Sequence, residues 1–171
     1  MQDPLNLASE AMLVPLRHAE LKHGRLAMLA ALGWPVAEWM HPVLVTNLGS
    51  RDLLQEGCAP TVLNGGLTTP EATASLLVLL LIGSVFESKD IRMRASQGFK
   101  FNEYARDSVA GDVSFDPLNI ATELPVTDRF ELQEAEMLNG RLAMLTVLAY
   151  AAIEAGLHMP IVSFSPSMLT F

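Results

Sequence analysis

ELKHGRLAML at residues 20–29 returns as EMLNGRLAML at residues 136–145, with seven of ten positions identical and an offset of 116 residues. A repeat this long and this widely spaced marks two equivalent units of structure, and it governs how the chain between them is read. Each copy sets an acid, Glu20 or Glu136, at the head of an apolar run, with His23 or Asn139 three residues on and Arg25 or Arg141 five residues on. On a helix the acid and the residue three further along share nearly one face, while the arginine lies roughly 140° away. Charges at the head of an apolar helix need partners. The other copy can supply them, Glu20 meeting Arg141 and Glu136 meeting Arg25.

The composition narrows the class. The 171 residues suit one domain, 1–171. Half are hydrophobic, 18% are charged, and the mean hydropathy is +0.31, more apolar than a soluble domain of this size needs. A single cysteine, Cys58, excludes an internal disulfide and any cysteine-type metal spacing. The net charge of −8 argues against a nucleic-acid partner, which calls for a basic patch.

Three apolar stretches follow, about residues 16–45, 72–86 and 137–153. Their uncharged runs are short: 12 residues between Arg25 and Glu38, 15 between Glu71 and Glu87, and 12 between Arg141 and Glu154. None reaches the roughly 18 residues of a simple membrane span, so a soluble three-helix bundle competes. Two features favour the membrane. Glu20–Arg141 and Glu136–Arg25 form a reciprocal set, as a pseudo-two-fold crossing requires, and ionisable groups in a bilayer are tolerated when they face the bundle and pair. Gly24 and Gly140, with Ala27 and Ala143 a turn on, leave room for close approach. The cations are also sorted. With the repeat arginines set aside, Arg17, Lys22, Lys89, Arg92, Arg94, Lys100, Arg106 and Arg129 fall on one side of the spans and Arg51 alone on the other. That is the positive-inside pattern, with the N-terminus on the cytoplasm-equivalent face and the C-terminus opposite. The expected fold is an all-α membrane protein with three transmembrane helices, at about 16–41, 71–94 and 131–158. The first and third cross about a pseudo-two-fold axis, and short amphipathic surface helices complete it.

Each repeat has a leader, DPLNLA at residues 3–8 and DPLNIA at residues 116–121, where proline sets a turn and bars helix at the residue before it. The linker 42–70, rich in glycine and proline, reads as a loop on the membrane face with a short amphipathic helix around residues 51–56. His23 and Asn139 stand a turn inward from their acids, where an unpartnered buried polar group costs roughly 1–3 kcal/mol. Both offer a lone pair to a metal or a donor. An imidazole, an amide oxygen and a carboxylate offset by arginine each suit one axial position on magnesium, which prefers hard ligands.

Together, E-x-x-H-G-R-L-A-M-L, E-x-x-N-G-R-L-A-M-L, the paired leaders (the second within GDVSFDPL, residues 111–118) and the crossed Glu–Arg pairs resemble the chlorophyll-binding light-harvesting complex superfamily. LNGGL (63–67) and WPVAEW (34–39) are more similar to its red-lineage branch, the fucoxanthin or chlorophyll a/c binders and red-algal photosystem I antennae. The resemblance implies that Glu20, Glu136, His23 and Asn139 each ligate a chlorophyll magnesium, with Arg25 and Arg141 supporting the glutamates. Glu87 stands where the family has a further ligand; the family's charge partner three residues on is Asp90 here, so Lys89 or Arg92 would substitute. A glutamine that the family often carries deep in the third helix falls on Ile153. The leader residues Asp3, Pro4, Leu5, Asp116, Pro117 and Leu118 would flank the ends of two crossed carotenoids.

The implied cofactors are chlorophyll a, chlorophyll c and a xanthophyll such as fucoxanthin or a relative. The implied protein is not an enzyme but a plastid thylakoid antenna, N-terminus stromal and C-terminus lumenal, set among thylakoid lipids and neighbouring antenna subunits. It would pass excitation to a photosystem core, photosystem I in preference to II. The alternative within the superfamily is a photoprotective, energy-dissipating member, with Asp52, Glu56 and Glu71 as candidate proton acceptors.

Plainer readings hold elsewhere. Glu38 and Glu154, also 116 residues apart, read as carboxylates at the far membrane interface, with pigment contact as the alternative. His41 and His158 near helix ends read the same way. His18 reads as solvated, Trp34 and Trp39 as interfacial aromatics, and Met28 and Met144 as packing. A di-iron bundle also uses E-x-x-H, but needs it twice with two further glutamates; here the second copy has Asn139, and each arginine would repel a dication.

Overall fold

The computed structural model describes residues 10–49, 52–54, 56–61, 64, 66–99, 104, 110–111 and 124–164. Three long helices dominate: α1 at Glu10–Leu48, α2 at Pro70–Ser96 and α3 at Val126–Leu157, with 3-10 turns at Gly66–Thr68 and Ile161–Phe164. No strand occurs among the described residues. The leader residues Asp3, Pro4, Leu5, Asp116, Pro117 and Leu118 lie outside them.

Local chemistry explains the ends. α1 stops at Gly49, whose φ of +62° suits glycine and whose N–H returns to the Val45 carbonyl at 3.1 Å. α2 begins after Thr69 with proline in its first turn, where the missing N–H would have no partner anyway, and with Glu71 against the positive end of the helix dipole. It closes on Gly98 at φ +83°. α3 ends with His158 in the left-handed region, its N–H bonded to the Glu154 carbonyl. α1 runs on through Pro15, Pro35 and Pro42, each removing a backbone donor. At about 1.5 Å per residue, 39 helical residues exceed the roughly 30 Å of a hydrocarbon core.

The described residues of the expected helix around 51–56 are not helical. Residues 52–54 are irregular, and Glu56 and Gly57 follow in a turn at φ +52° and +87°, two successive left-handed residues that no right-handed helix can continue.

α1 and α3 pack along each other, whereas α2 stands apart from both apart from polar links at one end. The pairing is closest at Gly24 and Gly140, where a Cβ on either residue would lie 3.0 Å from the other's Cα. Leu21, Ala27 and Ala143 are buried beside them. Among the described residues no large side chain is fully buried, and Leu77, Leu79, Leu81, Val85, Leu142, Leu145 and Leu148 all face outward. Water does not stabilise such a surface; a soluble bundle would turn these leucines inward. α2 and α3 are each long and apolar enough to cross a membrane.

Candidate functional site

The two repeat copies meet at the Gly24–Gly140 contact, and their charges pair reciprocally across it. The Arg141 Nε–H donates to Glu20 Oε1 at 2.6 Å, and the Arg25 Nε–H donates to Glu136 Oε1 at 2.6 Å. Charge-assisted bonds of this length hold both guanidinium planes in place.

The two ion pairs are not equivalent. Arg25 uses its fork on both oxygens of Glu136, Nη2 reaching Oε2 at 3.3 Å, and its Nη1 donates to the Gly111 carbonyl at 2.8 Å. Arg141 holds one oxygen of Glu20 and leaves Oε2 enclosed without a partner. An ionised carboxylate oxygen shut away from donors is unfavourable unless something positive reaches it.

His23 supplies a second uncommitted lone pair. Its Nδ1–H donates to the Ala19 carbonyl one turn back at 2.8 Å, so in the neutral ring Nε2 carries the open lone pair. The expectation that His23 and Asn139 are buried is corrected: both are exposed on the outer faces of their helices. The glycine face, not the i+3 face, lies between the helices. His23 Nε2 and the Asn139 amide oxygen are therefore open lone-pair donors, each able to fill one position on a magnesium whose other ligands come from a macrocycle, while Glu20 Oε2 is an unpartnered oxygen that such a group would have to uncover. The residues fit that group.

Glu87 is anchored, but not by Lys89 or Arg92. Its two oxygens accept from Lys22 of α1 at 2.9 and 2.8 Å, and Lys22 also reaches Asp90 at 2.7 Å. The helical period explains the correction: residues two and five positions beyond Glu87 turn away from it, whereas Asp90 and Arg94 return to its face. Arg94 pairs with Asp90 at 3.1 Å and lies over the Tyr104 ring, 4.5 Å from its centroid. His18, expected in solvent, is buried: it stacks on Tyr104 with ring centroids 3.8 Å apart, and its Nδ1 accepts from the Gly111 N–H at 3.4 Å. This polar knot ties α2 and the segment before α3 to α1.

At the other end, Glu38 and Glu154 are 5% and 2% exposed. They are enclosed by the chain's own loop and turn rather than solvated at an interface. His41 Nε2 accepts from the Leu53 N–H at 2.8 Å, so that lone pair is engaged, and His158 serves as the cap of α3 with its side chain exposed. Trp34 and Tyr150, again 116 residues apart, meet edge to face with centroids 6.0 Å apart.

Sequence reasoning missed Lys22, Tyr104 and the Gly111 carbonyl. Lys22 left a signal, because the second copy has Leu138 at its position. Tyr104 and Gly111 left none that periodicity could find.

Comparison with known proteins fits this geometry. The chain matches the family "Chlorophyll A-B binding protein" over residues 2–155. It is 32% identical over 147 residues to a fucoxanthin-chlorophyll a-c binding protein, chloroplastic, of Isochrysis galbana, covering 82% of this chain and 63% of that one. It is 31% identical over 137 residues to a protein of the same name from Chattonella marina var. antiqua, covering 78% and 53%. These two fit the branch suggested by LNGGL and WPVAEW. Light-harvesting complex stress-related protein 1, chloroplastic, of Chlamydomonas reinhardtii is 31% identical over 139 residues, covering 81% and 52%. The chain spans between about half and two thirds of the length of these relatives. With one family matched along nearly the whole sequence, and with the repeat that defines its helix pair folded as a reciprocal ion-paired contact, the chain belongs to the chlorophyll a-b binding protein family.

Proposed function

We propose that this chain is a light-harvesting antenna subunit that binds chlorophylls and carotenoids and passes excitation to a photosystem, with photosystem I favoured. It catalyses no reaction. α1, α2 and α3 each span the thylakoid membrane of a plastid, and α1 and α3 cross about a pseudo-two-fold axis at Gly24 and Gly140. The sorted cations support a stromal N-terminus and a lumenal C-terminus. Glu20, Glu136, His23 and Asn139 are the magnesium ligands, and Glu87 is a further one. Its two contacts to Lys22 make it a ligand whose charge is already balanced. Chlorophyll a, chlorophyll c and a fucoxanthin-type xanthophyll supply the photophysics when bound; the protein sets their spacing, orientation and local polarity. Asp3, Pro4, Leu5, Asp116, Pro117 and Leu118 flank the carotenoid ends. Partners are a photosystem core, neighbouring antenna subunits and thylakoid lipids.

One observation carries the reading. The paired helices leave hard donor atoms uncommitted while their leucines face outward, which suits macrocycles ligated at the helix surface and embedded among apolar side chains. Glu38, His41, Glu154 and His158 are the weaker candidates for pigment contact, since the first three have bonding partners within the chain.

Pigment extraction and absorption spectra of the purified protein test this, set beside His23→Leu/Asn139→Leu refolded with pigments. The wild type should carry chlorophyll in stoichiometric amount, and the variant about two fewer per chain, one for each lost ligand. A colourless, well-folded wild type would remove the proposal and leave the crossed ion pairs purely structural.

The similarity to stress-related proteins supports a second reading, dissipation of excitation in place of delivery. Asp52 and Glu56 are exposed on the loop after α1, and Glu71 opens α2. A fluorescence lifetime that shortens on acidification, and recovers when all three are neutralised, is the result expected of a dissipating protein. A lifetime indifferent to pH leaves harvesting alone.

A further inference from the structure

Lys89 and Arg92 take no part in anchoring Glu87, and α2 presents them on a different face. At about 100° per residue the two lie roughly 60° apart, whereas Glu87, Asp90 and Arg94, the group that docks on Lys22, are centred roughly 160° round the helix from them. The face that carries the two cations is hollow. Ser84, Val85, Ser88, Lys89, Arg92 and Met93 line an open groove of about 480 Å³. The serines make the hollow, because they are short and fold back onto their own helix. The Ser84 O–H donates to the Leu81 carbonyl at 2.7 Å, and the Ser88 O–H donates to the Ser84 carbonyl at 2.6 Å.

The same face continues along the helix as an apolar stripe. Val78, Leu81, Ile82 and Val85 occupy an arc about 100° wide that also contains the positions of Lys89 and Arg92, and all four are more than half exposed. At about 1.5 Å per residue, the 89 − 78 = 11 steps from Val78 to Lys89 cover about 16 Å, close to half of a hydrocarbon core roughly 30 Å thick. Beyond Val78 the arc carries Ala74 and then Glu71, so the bulky stripe ends there. It is one leaflet deep. A strip of that length, apolar throughout and finished by two cations at one membrane surface, has the dimensions and polarity of a single lipid.

We propose that this face of α2 binds one anionic diacyl lipid. Its phosphate or sulfonate group sits between Lys89 and Arg92 over the Ser84–Ser88 hollow, and an acyl chain runs along Val85, Ile82, Leu81 and Val78. Arg92 offers a planar fork to two oxygens of such a group, and Lys89 adds a point charge. A neutral galactolipid makes the same chain contacts but gains nothing from the cations. The proposal rests on the reading of α2 as a membrane span. It does not rest on pigment, since none of these residues is among the magnesium ligands. The lipid occupies the side of α2 turned away from α1, so α2 is held by an ion-paired cluster on one face and by a lipid on the other.

The test is equilibrium binding of radiolabelled phosphatidylglycerol to the delipidated complex in neutral detergent, with the absorption spectrum of each sample recorded. Phosphatidylglycerol should bind more tightly than monogalactosyl diacylglycerol of the same chain length, and glycerol phosphate, which has the charge but no chains, should not displace it. Lys89→Gln/Arg92→Gln should weaken phosphatidylglycerol about thirtyfold, at about fivefold for each cation beside the membrane surface, and change galactolipid binding less than about twofold. Arg17→Gln removes an exposed cation of α1 instead and should change neither by more than about twofold. Equal affinity for the two lipids, displacement by glycerol phosphate, or equal losses in Arg17→Gln and Arg92→Gln overturns the proposal. Should the double variant fail to assemble, the wild type decides. Raising salt from about 0.1 M to about 1 M shortens the screening length from about 10 Å to about 3 Å and should weaken phosphatidylglycerol alone; no selective weakening overturns the site. A pigmented complex without lipid selectivity removes the lipid site and leaves the antenna, whereas a colourless protein that still selects the anionic lipid does the reverse.

Discussion

Gly24→Leu should abolish assembly of the pigmented complex, and Gly24→Ala should lower its thermal midpoint by several degrees. A Cβ at Gly24 would lie 3.0 Å from the Gly140 Cα and 3.5 Å from its carbonyl carbon, and the reciprocal distances are the same. The obstructing atoms are backbone, so no side-chain rotation relieves the clash. The helices must separate, and separation strains both ion pairs at once, since Arg25 and Arg141 each sit one residue after a contact glycine. Overpacking of this kind costs about 1–3 kcal/mol for one added methyl, which corresponds to a fall on the order of 5 °C in a domain of this size. Leucine adds three more carbons at the same point and leaves no paired arrangement. Gly33→Ala is the control. Nothing lies within 4 Å of its Cβ, and alanine is the better helix former. The pair is followed by visible circular dichroism on heating. An unchanged midpoint in Gly24→Ala would mean that the helices do not meet at these glycines in the assembled protein.

That contact was legible because it rests on identity between the two copies. The offset alone relates Glu20 to Glu136, Arg25 to Arg141 and Gly24 to Gly140, and a reciprocal contact is the simplest way to bury all six. What escaped was whatever breaks the symmetry. Lys22 serves α2 while Leu138 faces outward, so a third helix docks on one copy only, and the departure from the repeat marks the docking side. His18 was misplaced because its burial depends on Tyr104 and Gly111, which lie in a segment with no periodic pattern to position them. Glu38 and Glu154 were matched correctly across the offset but assigned to an interface. Hydropathy sees a charge near a helix end; it does not see that a loop and a turn fold over it. For His23 and Asn139 the proposed ligand chemistry rests on residue type, and the depth was not readable, because a polar residue at the head of an apolar run looks the same in sequence whichever helix face it occupies.

Reversing one ion pair separates the structural role of Glu20 from its proposed role as a ligand. In Arg141→Glu, two carboxylates face each other at the helix contact, and in Glu20→Arg, two guanidinium groups do. Breaking a pair shielded from water costs about 3–5 kcal/mol, less where water reaches the half-exposed Arg141 side chain. Either single variant should therefore yield little complex. The double variant Glu20→Arg/Arg141→Glu restores opposite charges across the same gap and should recover assembly. It should not recover the pigment at residue 20, because a guanidinium has no lone pair to give. The expected product is a folded complex lacking about one chlorophyll, the share of a single axial ligand. Full pigment content would show that the enclosed Oε2 of Glu20 does not ligate. No recovery at all would show that the pair needs its original polarity. The same exchange at Arg25 and Glu136 should rescue less well, because Arg25 also donates to the Gly111 carbonyl and a glutamate there cannot. A carbonyl left without its donor, in a segment that also rests on His18, adds a penalty that restoring the charge pair does not remove. Two pairs that look interchangeable in the repeat should thus respond differently to the same operation. The difference would arise at Gly111, a residue in neither copy.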